Sequence, residues 1–280
     1  MPSIRFAKVE SVGNHFVLVE AFEAVTSDWT ELARLAGLHR FGIGSDGLLV
    51  ISPSSVGDFR FRMFNPDGTE DMCGNGLRCA GLYVSERRLT SKREIVFETK
   101  DGLRETIINS HDHGKGLVWA SMGKPSLRAS DIPASGGLEE LIDYPLVVGQ
   151  ETFELTCVAV GTPHAVIRAE VEDFWREVPK VSREIGSHPL FPEGLNVTWY
   201  SPGESGEIRA RTWERGVGPT LGCGTGACAA LVTAHIHGLS GRSACVRFPG
   251  GDLSVEWRDD GDIWSAGLAR IVFDGIVEIA

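Results

Sequence analysis

A motif written twice constrains this chain more than anything else in it. Cys73-Gly74-Asn75-Gly76 and Cys223-Gly224-Thr225-Gly226 each place a cysteine ahead of two glycines that bracket a residue of helix-capping type. Each runs into a small, apolar, helix-compatible stretch, Leu77 to Val84 and Ala227 to His235. Read locally, Asn75 and Thr225 are N-caps and the helices begin directly after them. Each cysteine then lies just outside a helix N-terminus, where unpaired N–H groups and the positive end of the dipole favour an anion. Such a setting lowers the pKa of a thiol and favours a reactive thiolate. The same N–H groups form a ready pocket for a carboxylate. Two such units point to two cysteines facing one small anionic substrate.

The rest of the chain excludes several classes. A formal net charge of −11 argues against general binding to nucleic acid or an anionic membrane. No apolar run has spanning length, and Met1 to Glu10 carries Arg5, Lys8 and Glu10 with no signal-peptide core. Six cysteines in 280 residues are too few for a disulfide scaffold, so reduced thiols in the cytoplasm are expected. Length alone allows one or two domains.

Taken in order, Ile4 to Glu10 and Phe16 to Ala21 read as strands of a hairpin with Gly13-Asn14 as its turn and Asn14 at the tip. Asp28 caps a helix from Trp29 to Ala36. Leu48 to Ser52 reads as a short buried strand. Phe59 to Phe64 alternates Phe and Arg and ends at the turn Asn65-Pro66-Asp67-Gly68. Ile95 to Thr99 and Leu103 to Ile108 pair around Asp101-Gly102. After a Gly/Pro/Ser-rich stretch through Gly137 the pattern resumes, with Phe153 to Val160, a Gly161-Thr162-Pro163 turn, and Ala165 to Ala169. Asp173 starts a helix towards Ile185. Leu195 to Tyr200 and Glu207 to Trp213 lead into the second cysteine loop. Val246 to Phe248, Leu253 to Trp257, Ile263 to Ala266 and Ile271 to Val277 close the chain as strands.

The two cysteine loops lie more than half the chain apart, which marks a duplicated domain and not a solenoid. The expected fold class is α+β: two similar duplicated domains, each a mixed β-sheet wrapped around a central helix. The active site is expected in the cleft between them. The N-terminal half is placed at 1–119, with the final strand, about 269–280, allowed to return to it. The C-terminal half is placed at 120–268.

Two opposed cysteines suit one reaction type. Inverting an amino-acid α-carbon requires removal of a proton from one face and its return to the other. A thiolate on one side and a thiol on the other do this, and swap roles for the reverse direction. Backbone N–H groups at Gly74-Asn75 and Gly224-Thr225 would hold the substrate carboxylate and stabilise charge that builds in the transition state. No cofactor motif is evident, and no Lys sits in the repeated loops to form a pyridoxal Schiff base.

The chain resembles the diaminopimelate epimerase family of cofactor-independent two-cysteine epimerases. The resemblance rests on Gly13-Asn14-His15-Phe16, Phe41-Gly42-Ile43-Gly44-Ser45-Asp46-Gly47 and Phe64-Asn65-Pro66-Asp67-Gly68-Thr69-Glu70. It continues through Cys73-Gly74-Asn75-Gly76, Gly161-Thr162-Pro163-His164, Leu195-Asn196-Val197, and Trp213-Glu214-Arg215-Gly216 up to the second cysteine loop. The resemblance implies conversion of LL- to meso-2,6-diaminopimelate, a step of lysine and peptidoglycan synthesis, with Cys73 and Cys223 as the acid/base pair. It implies substrate contacts from Asn14, Asn65, Asn196, Glu214 and Arg215 beside the two N–H pockets. The implied partner is a small amino-acid substrate, and dimers occur in families like this one. Two positions depart from the family pattern: Gly47 stands where Gln is common, and Thr162 where Asn is common. Both line the substrate pocket in the family, as candidate contacts together with His164. A two-cysteine racemase of another amino acid, such as histidine, and a non-catalytic amino-acid-binding relative are the alternatives; solvent deuterium entering the α-carbon separates catalysis from binding.

The remaining motifs read as structure. Cys79 and Cys228 lie within the helices and suit small core positions. Cys157 and Cys245 lie in strands and suit buried, inert positions. The cysteine spacings do not match the tight pairs of structural zinc sites, and no metal is expected. Gly224-x-Gly226-x-x-Ala229 meets the dinucleotide fingerprint only superficially. His235 and His237 do not share a helix face. His164 alone reads as readily as a structural residue.

Overall fold

The computed structural model describes residues 3–22, 28–170, 175, 177–203 and 206–278. It is mostly strands with few helices. The chain divides into two compact units, Met1–Ser121 with Ala266–Ala280, and Met122–Ser265.

In the first unit, strands β1 (Ser3–Ser11) and β2 (Asn14–Glu20) form an antiparallel hairpin. Ser11 pairs with Asn14, so the tip is Val12-Gly13, both at positive φ (52° and 84°). Asn14 is therefore the first residue of a strand and not the tip, because a two-residue turn with both φ positive matches the twist of the strands it joins. Helix α1 (Trp29–Gly37) carries the chain to β3 (Gly47–Ser52), parallel to β2. Asp28 caps α1 as expected, accepting from Thr30 N at 3.0 Å and Glu31 N at 3.2 Å. Strand β4 (Phe59–Phe64) is antiparallel to β3, and short β5 (Glu70–Asp71) folds back on β4. Helix α2 (Gly74–Glu86) then crosses to β6 (Glu94–Thr99), parallel to β4. Strands β7 (Gly102–Asp112) and β8 (Lys115–Ser121) follow as antiparallel neighbours. Strand β17 (Ile263–Glu278) pairs with both β8 and β1, so this unit's ladder returns to its first strand.

The second unit repeats the order of pairings. After a 3-10 turn at Ala129–Asp131, β9 (Tyr144–Val148) and β10 (Glu151–Val160) are antiparallel. Strand β10 pairs antiparallel with β11 (Thr162–Arg168), and β11 parallel with β12 (Asn196–Pro202). Helix α3 (Ser182–Gly186) precedes β12. Strand β13 (Ile208–Glu214) is antiparallel to β12, and short β14 (Gly218–Thr220) folds back on β13. Helix α4 (Gly224–Ile236) crosses to β15 (Ser243–Phe248), parallel to β13, and β16 (Gly251–Trp257) is antiparallel to β15. Antiparallel, parallel, antiparallel, parallel, antiparallel is also the sequence of pairings from β1 to β7. Each parallel pair has its helical or loop crossover, which a parallel connection requires.

Both long helices are apolar nearly all round. Gly74 to Val84 of α2 are all buried, against β1, β2, β3, β4, β7 and β8. Helix α4 packs on β10 to β13, β15 and β16. A helix without a polar face is one enclosed by other elements. Phe59 and Phe61 of β4 point inward while Arg60 points out, the period-2 pattern of a half-buried strand. Their rings meet Phe97 of β6 with centroids 5.9 and 6.4 Å apart.

Several local expectations need correction. Strand β17 is one continuous strand where two were expected, because β1 pairs with Ala269 and Arg270 inside the expected gap and β8 pairs with the same strand. Strand β9 and the short β5 and β14 carry no periodicity long enough to read. Thr162 opens β11 and is not a turn residue. Asp173 lies outside the described residues, and the helix seen near it covers Ser182–Gly186. Cys245 is only half-buried, on a strand whose neighbours Ser243 and Arg247 are exposed. Among the described residues no helix is long and apolar enough to cross a membrane.

Phe97 is fully buried and bridges two aromatic neighbours. Phe97→Ala is expected to destabilise the protein by about 3–5 kcal/mol, and Arg60→Ala on the exposed face by less than about 0.5 kcal/mol. Urea unfolding midpoints of the two variants check this; equal midpoints would contradict the placement of Phe97 in the core.

Candidate active site

The two cysteines are themselves the helix caps. Cys73 has φ −137° and ψ 115°, and Cys223 has φ −132° and ψ 115°. In each case Sγ accepts from the amide three residues on, Gly76 N and Gly226 N, both at 3.4 Å. The helices therefore begin at Gly74 and Gly224, and Asn75 and Thr225 stand inside the first turn rather than at the cap. The reason is that an N-cap is extended and its side chain accepts from the third helical amide; sulfur fills that role here. An amide donor and the positive end of a helix both favour negative charge on that sulfur. Cys73 is half-buried and Cys223 buried.

Around Cys73 the first unit builds a charged network. Asn75 Nδ2 donates to Asn14 Oδ1. Asn14 Nδ2 donates to Asp46 Oδ2 at 3.3 Å, and His15 N donates to the same oxygen at 2.9 Å. Lys8, buried on β1, contacts His15 Nδ1 at 2.8 Å and donates to Gly44 O. Burial lowers the Lys8 pKa, partly offset by Asp46. Arg78, fully buried, donates to Asn75 Oδ1 and, through Nε, to Ser11 Oγ at 3.3 Å.

Around Cys223 the second unit builds a neutral network. Cys223 Sγ lies 3.3 Å from Thr225 Oγ1. Thr225 Oγ1 is 2.9 Å from His164 Nε2, and His164 Nδ1 is 3.0 Å from Thr198 Oγ1, which meets Thr212 Oγ1 at 3.0 Å. Thr162 Oγ1 donates to Thr225 Oγ1 at 3.3 Å and accepts from Asn196 Nδ2 at 3.1 Å. A neutral imidazole donates through one nitrogen and accepts through the other, so it relays between the two hydroxyls. His164 is fully buried, and desolvation pushes its pKa down to about 3.

The other expected residues divide. Asn196 Oδ1 accepts from Arg215 N at 2.8 Å, which ties β12 to the loop before the second cysteine. Arg215 is exposed and its Nη1 donates to the carbonyls of Glu193 and Gly194 at 2.9 and 3.2 Å. Glu214 Oε1 accepts from Thr220 Oγ1 at 2.6 Å. Asn65 sits in its own turn, with Nδ2 donating to Thr69 Oγ1 at 3.1 Å, and makes no contact with the Asn14–Asn75 pair among those described. Gly47 has no room for a side chain as packed, since a Cβ there would lie 2.8 Å from Met63 Cε and 2.9 Å from Phe64 O. Lys8, Asp46, Arg78, Thr198 and Thr212 were not expected. Arg78 carried a signal, the one cation of α2, flanked by Leu77 and Cys79; the others look like ordinary strand and loop residues until the sheet brings them together.

Two solved structures share this fold. A hydroxyproline epimerase from Agrobacterium vitis, with bound trans-4-hydroxy-L-proline, matches with TM-score 0.74 at 16% identity, over 99% of this chain and 91% of that one. A phenazine biosynthesis protein of the PhzF family from Bacillus anthracis matches with TM-score 0.72 at 18% identity, over 100% of both chains. At such identities the likeness is one of fold. Sequence is more specific. The diaminopimelate epimerase family model matches residues 6–128 and 156–272. A diaminopimelate epimerase of Acetivibrio thermocellus is 39% identical over 278 residues, 99% of each chain, and one of Caldanaerobacter subterraneus is 40% identical over 99% of this chain and 100% of its own. The chain belongs to the diaminopimelate epimerase family.

The lowered His164 pKa has a consequence for stability. Above pH 6.5 the ring is neutral folded or unfolded. As pH falls from 6.5 towards 3 the unfolded chain takes up a proton that the folded chain refuses, so His164 costs about 1.4 kcal/mol of stability per pH unit in that window. His164→Gln is expected to lose stability on acidification less steeply over that window. Urea midpoints measured from pH 7 to pH 4 check this, and parallel curves for the two proteins would contradict it.

Proposed function

We propose that this chain is a diaminopimelate epimerase that inverts LL-2,6-diaminopimelate to the meso form without pyridoxal phosphate, with Cys73 and Cys223 as its acid/base pair. The observation that carries the mechanism is the matched capping of two helices by two cysteine sulfurs, each accepting from an amide at 3.4 Å. One cysteine as thiolate removes the α-proton and the other as thiol delivers one to the opposite face; the reverse direction exchanges the roles. The N–H groups at Gly74-Asn75 and Gly224-Thr225 hold the α-carboxylate and stabilise the charge that spreads into it on deprotonation. Asn14 serves the amino-acid end from the first unit, Thr162 and His164 support the second cysteine loop, and Asn65 and Asn196 contribute to the distal end.

Glu214 and Arg215 take the distal ammonium and carboxylate, which a substrate with a single amino-acid end lacks. The guanidinium, anchored at Nη1, suits a carboxylate. Gly47, without an amide side chain, is the observation that keeps a different amino acid such as histidine as a second reading. We read the two units as duplicated halves, each wrapped around the helix that follows its cysteine; the matching order of strand pairings supports this. A cytoplasmic location and a homodimer fit an acidic enzyme of small-molecule metabolism.

Two experiments test this reading. Cys73→Ala and Cys223→Ala are each expected to abolish epimerisation, and the Ser variants to slow it severely while retaining one-sided exchange of the α-proton with solvent deuterium. Near-normal turnover in either Ala variant would sink the acid/base assignment. Arg215→Lys keeps the charge but loses the planar fork, and should lower kcat/KM for LL-diaminopimelate by one to two decades, the equivalent of about 1.5–3 kcal/mol. Wild-type preference for histidine, or no loss in the variant, would move the substrate to the second reading.

A further inference from the structure

Arg78 stands out because nothing in the mechanism uses it. It is fully buried in the second turn of α2, where the neighbouring buried residues are Leu77, Cys79, Ala80 and Leu82. Burying a guanidinium is costly unless its hydrogen bonds are satisfied. Its Nη2 donates to Asn75 Oδ1 and its Nε to Ser11 Oγ. Ser11 Oγ in turn donates to Leu268 O at 2.8 Å, which holds the guanidinium between α2, β1 and β17.

The polarity of this network is determined from both ends. A guanidinium only donates, so the Asn75 atom facing it must be the oxygen. That turns Asn75 Nδ2 towards Asn14, whose facing atom must then be Oδ1. Asn14 Nδ2 is left to face Asp46, whose ionised carboxylate only accepts. A donor-only group at one end and an acceptor-only group at the other allow each amide one orientation. Without Arg78, the Asn75 oxygen loses its buried donor, and among the described contacts only the long 3.3 Å one from Asn14 to Asp46 is left to hold both amides in this sense.

We propose that Arg78 is a positioning residue that fixes the Asn75 amide, and through it Asn14, as donors for the amino-acid end of the substrate beside Cys73. This rests on the function proposed above. Asn75 touches the first N–H pocket, and an inverted amide there would set a carbonyl oxygen against a carboxylate.

The test is a double-mutant cycle read in kcat/KM for LL-diaminopimelate. Arg78→Met and Asn75→Ala should each lower it by about 10- to 100-fold, the range for losing a charge-assisted contact. The double variant should be no worse than the poorer single, because Arg78 acts through Asn75. Arg78→Lys, which restores a donor-only group, should recover most of the loss. Losses that multiply in the double variant, or full activity in Arg78→Met, would overturn the proposal. The side-chain amide resonances of Asn75, identified by their disappearance in Asn75→Ala, give a readout free of turnover. They should be shifted and slow to exchange in wild type and become solvent-like in Arg78→Met, or relax only partly in Arg78→Lys. Unchanged resonances in both would overturn the positioning role. Wild-type inactivity on LL-diaminopimelate would instead overturn the functional reading, with the resonances still deciding the role of Arg78.

Discussion

Each long helix of this protein begins with an amide that finds sulfur rather than oxygen. The first N–H groups of any helix lack intrahelical partners, and a side-chain oxygen from Ser, Thr, Asp or Asn usually supplies one. At Cys73 and Cys223 the acceptor is Sγ. A neutral thiol is a weak acceptor and a thiolate a strong one. The same contact therefore ends the strand, starts the helix and stabilises the reactive form of the side chain. The close approach also needs glycine. A Cβ on Gly226 would lie 2.6 Å from Thr212 Oγ1, so any larger residue would lift the first turn of α4 off β13.

Beneath that shared cap the two units diverge. The first surrounds its cysteine loop with ionisable groups, Asp46 and Arg78 linked through Asn14 and Asn75, and Lys8 against His15 and Gly44 O. The second uses hydroxyls, an amide and one imidazole that burial holds neutral. Backbone geometry demands only that the sulfur accept an amide; it leaves the side chains below free to differ. Equivalent strand positions carry different chemistry as a result: Asn14 opens β2 and Thr162 opens β11, and each leads to the middle residue of the nearby cysteine loop.

Much of the fold was legible because it depends on local periodicity and on turn chemistry. The Phe/Arg alternation of β4 and the Asp28 cap act over a few residues and appear where the sequence puts them, and the β6–β7 hairpin forms one residue earlier than expected, with Lys100-Asp101 as its tip because Thr99 pairs with Gly102. The misreadings have two origins, a competing local contact at the helix starts and a long-range one in the last strand. Asn75 and Thr225 have the side chains of caps, yet the extended backbone at the preceding cysteines and the sulfur–amide contact move each helix start back. The break expected within β17 is absent because Glu10 and Ser11 of β1 pair with Arg270 and Ala269, across the expected gap.

What the sequence determined by itself is the pair of cysteine loops and the chemistry they permit, since a cysteine, two glycines and a small apolar run fix a helix start whatever surrounds it. Tertiary structure decided which groups stand behind those loops. Ser11 and Arg78, Asn14 and Asp46, and His164 and Thr198 are far apart in the chain, and each pair meets only because strands and helix are brought side by side. It also decided their protonation and orientation. Burial, which no local pattern encodes, holds His164 neutral, and a donor-only guanidinium facing an acceptor-only carboxylate across two amides gives Asn75 and Asn14 a single sense.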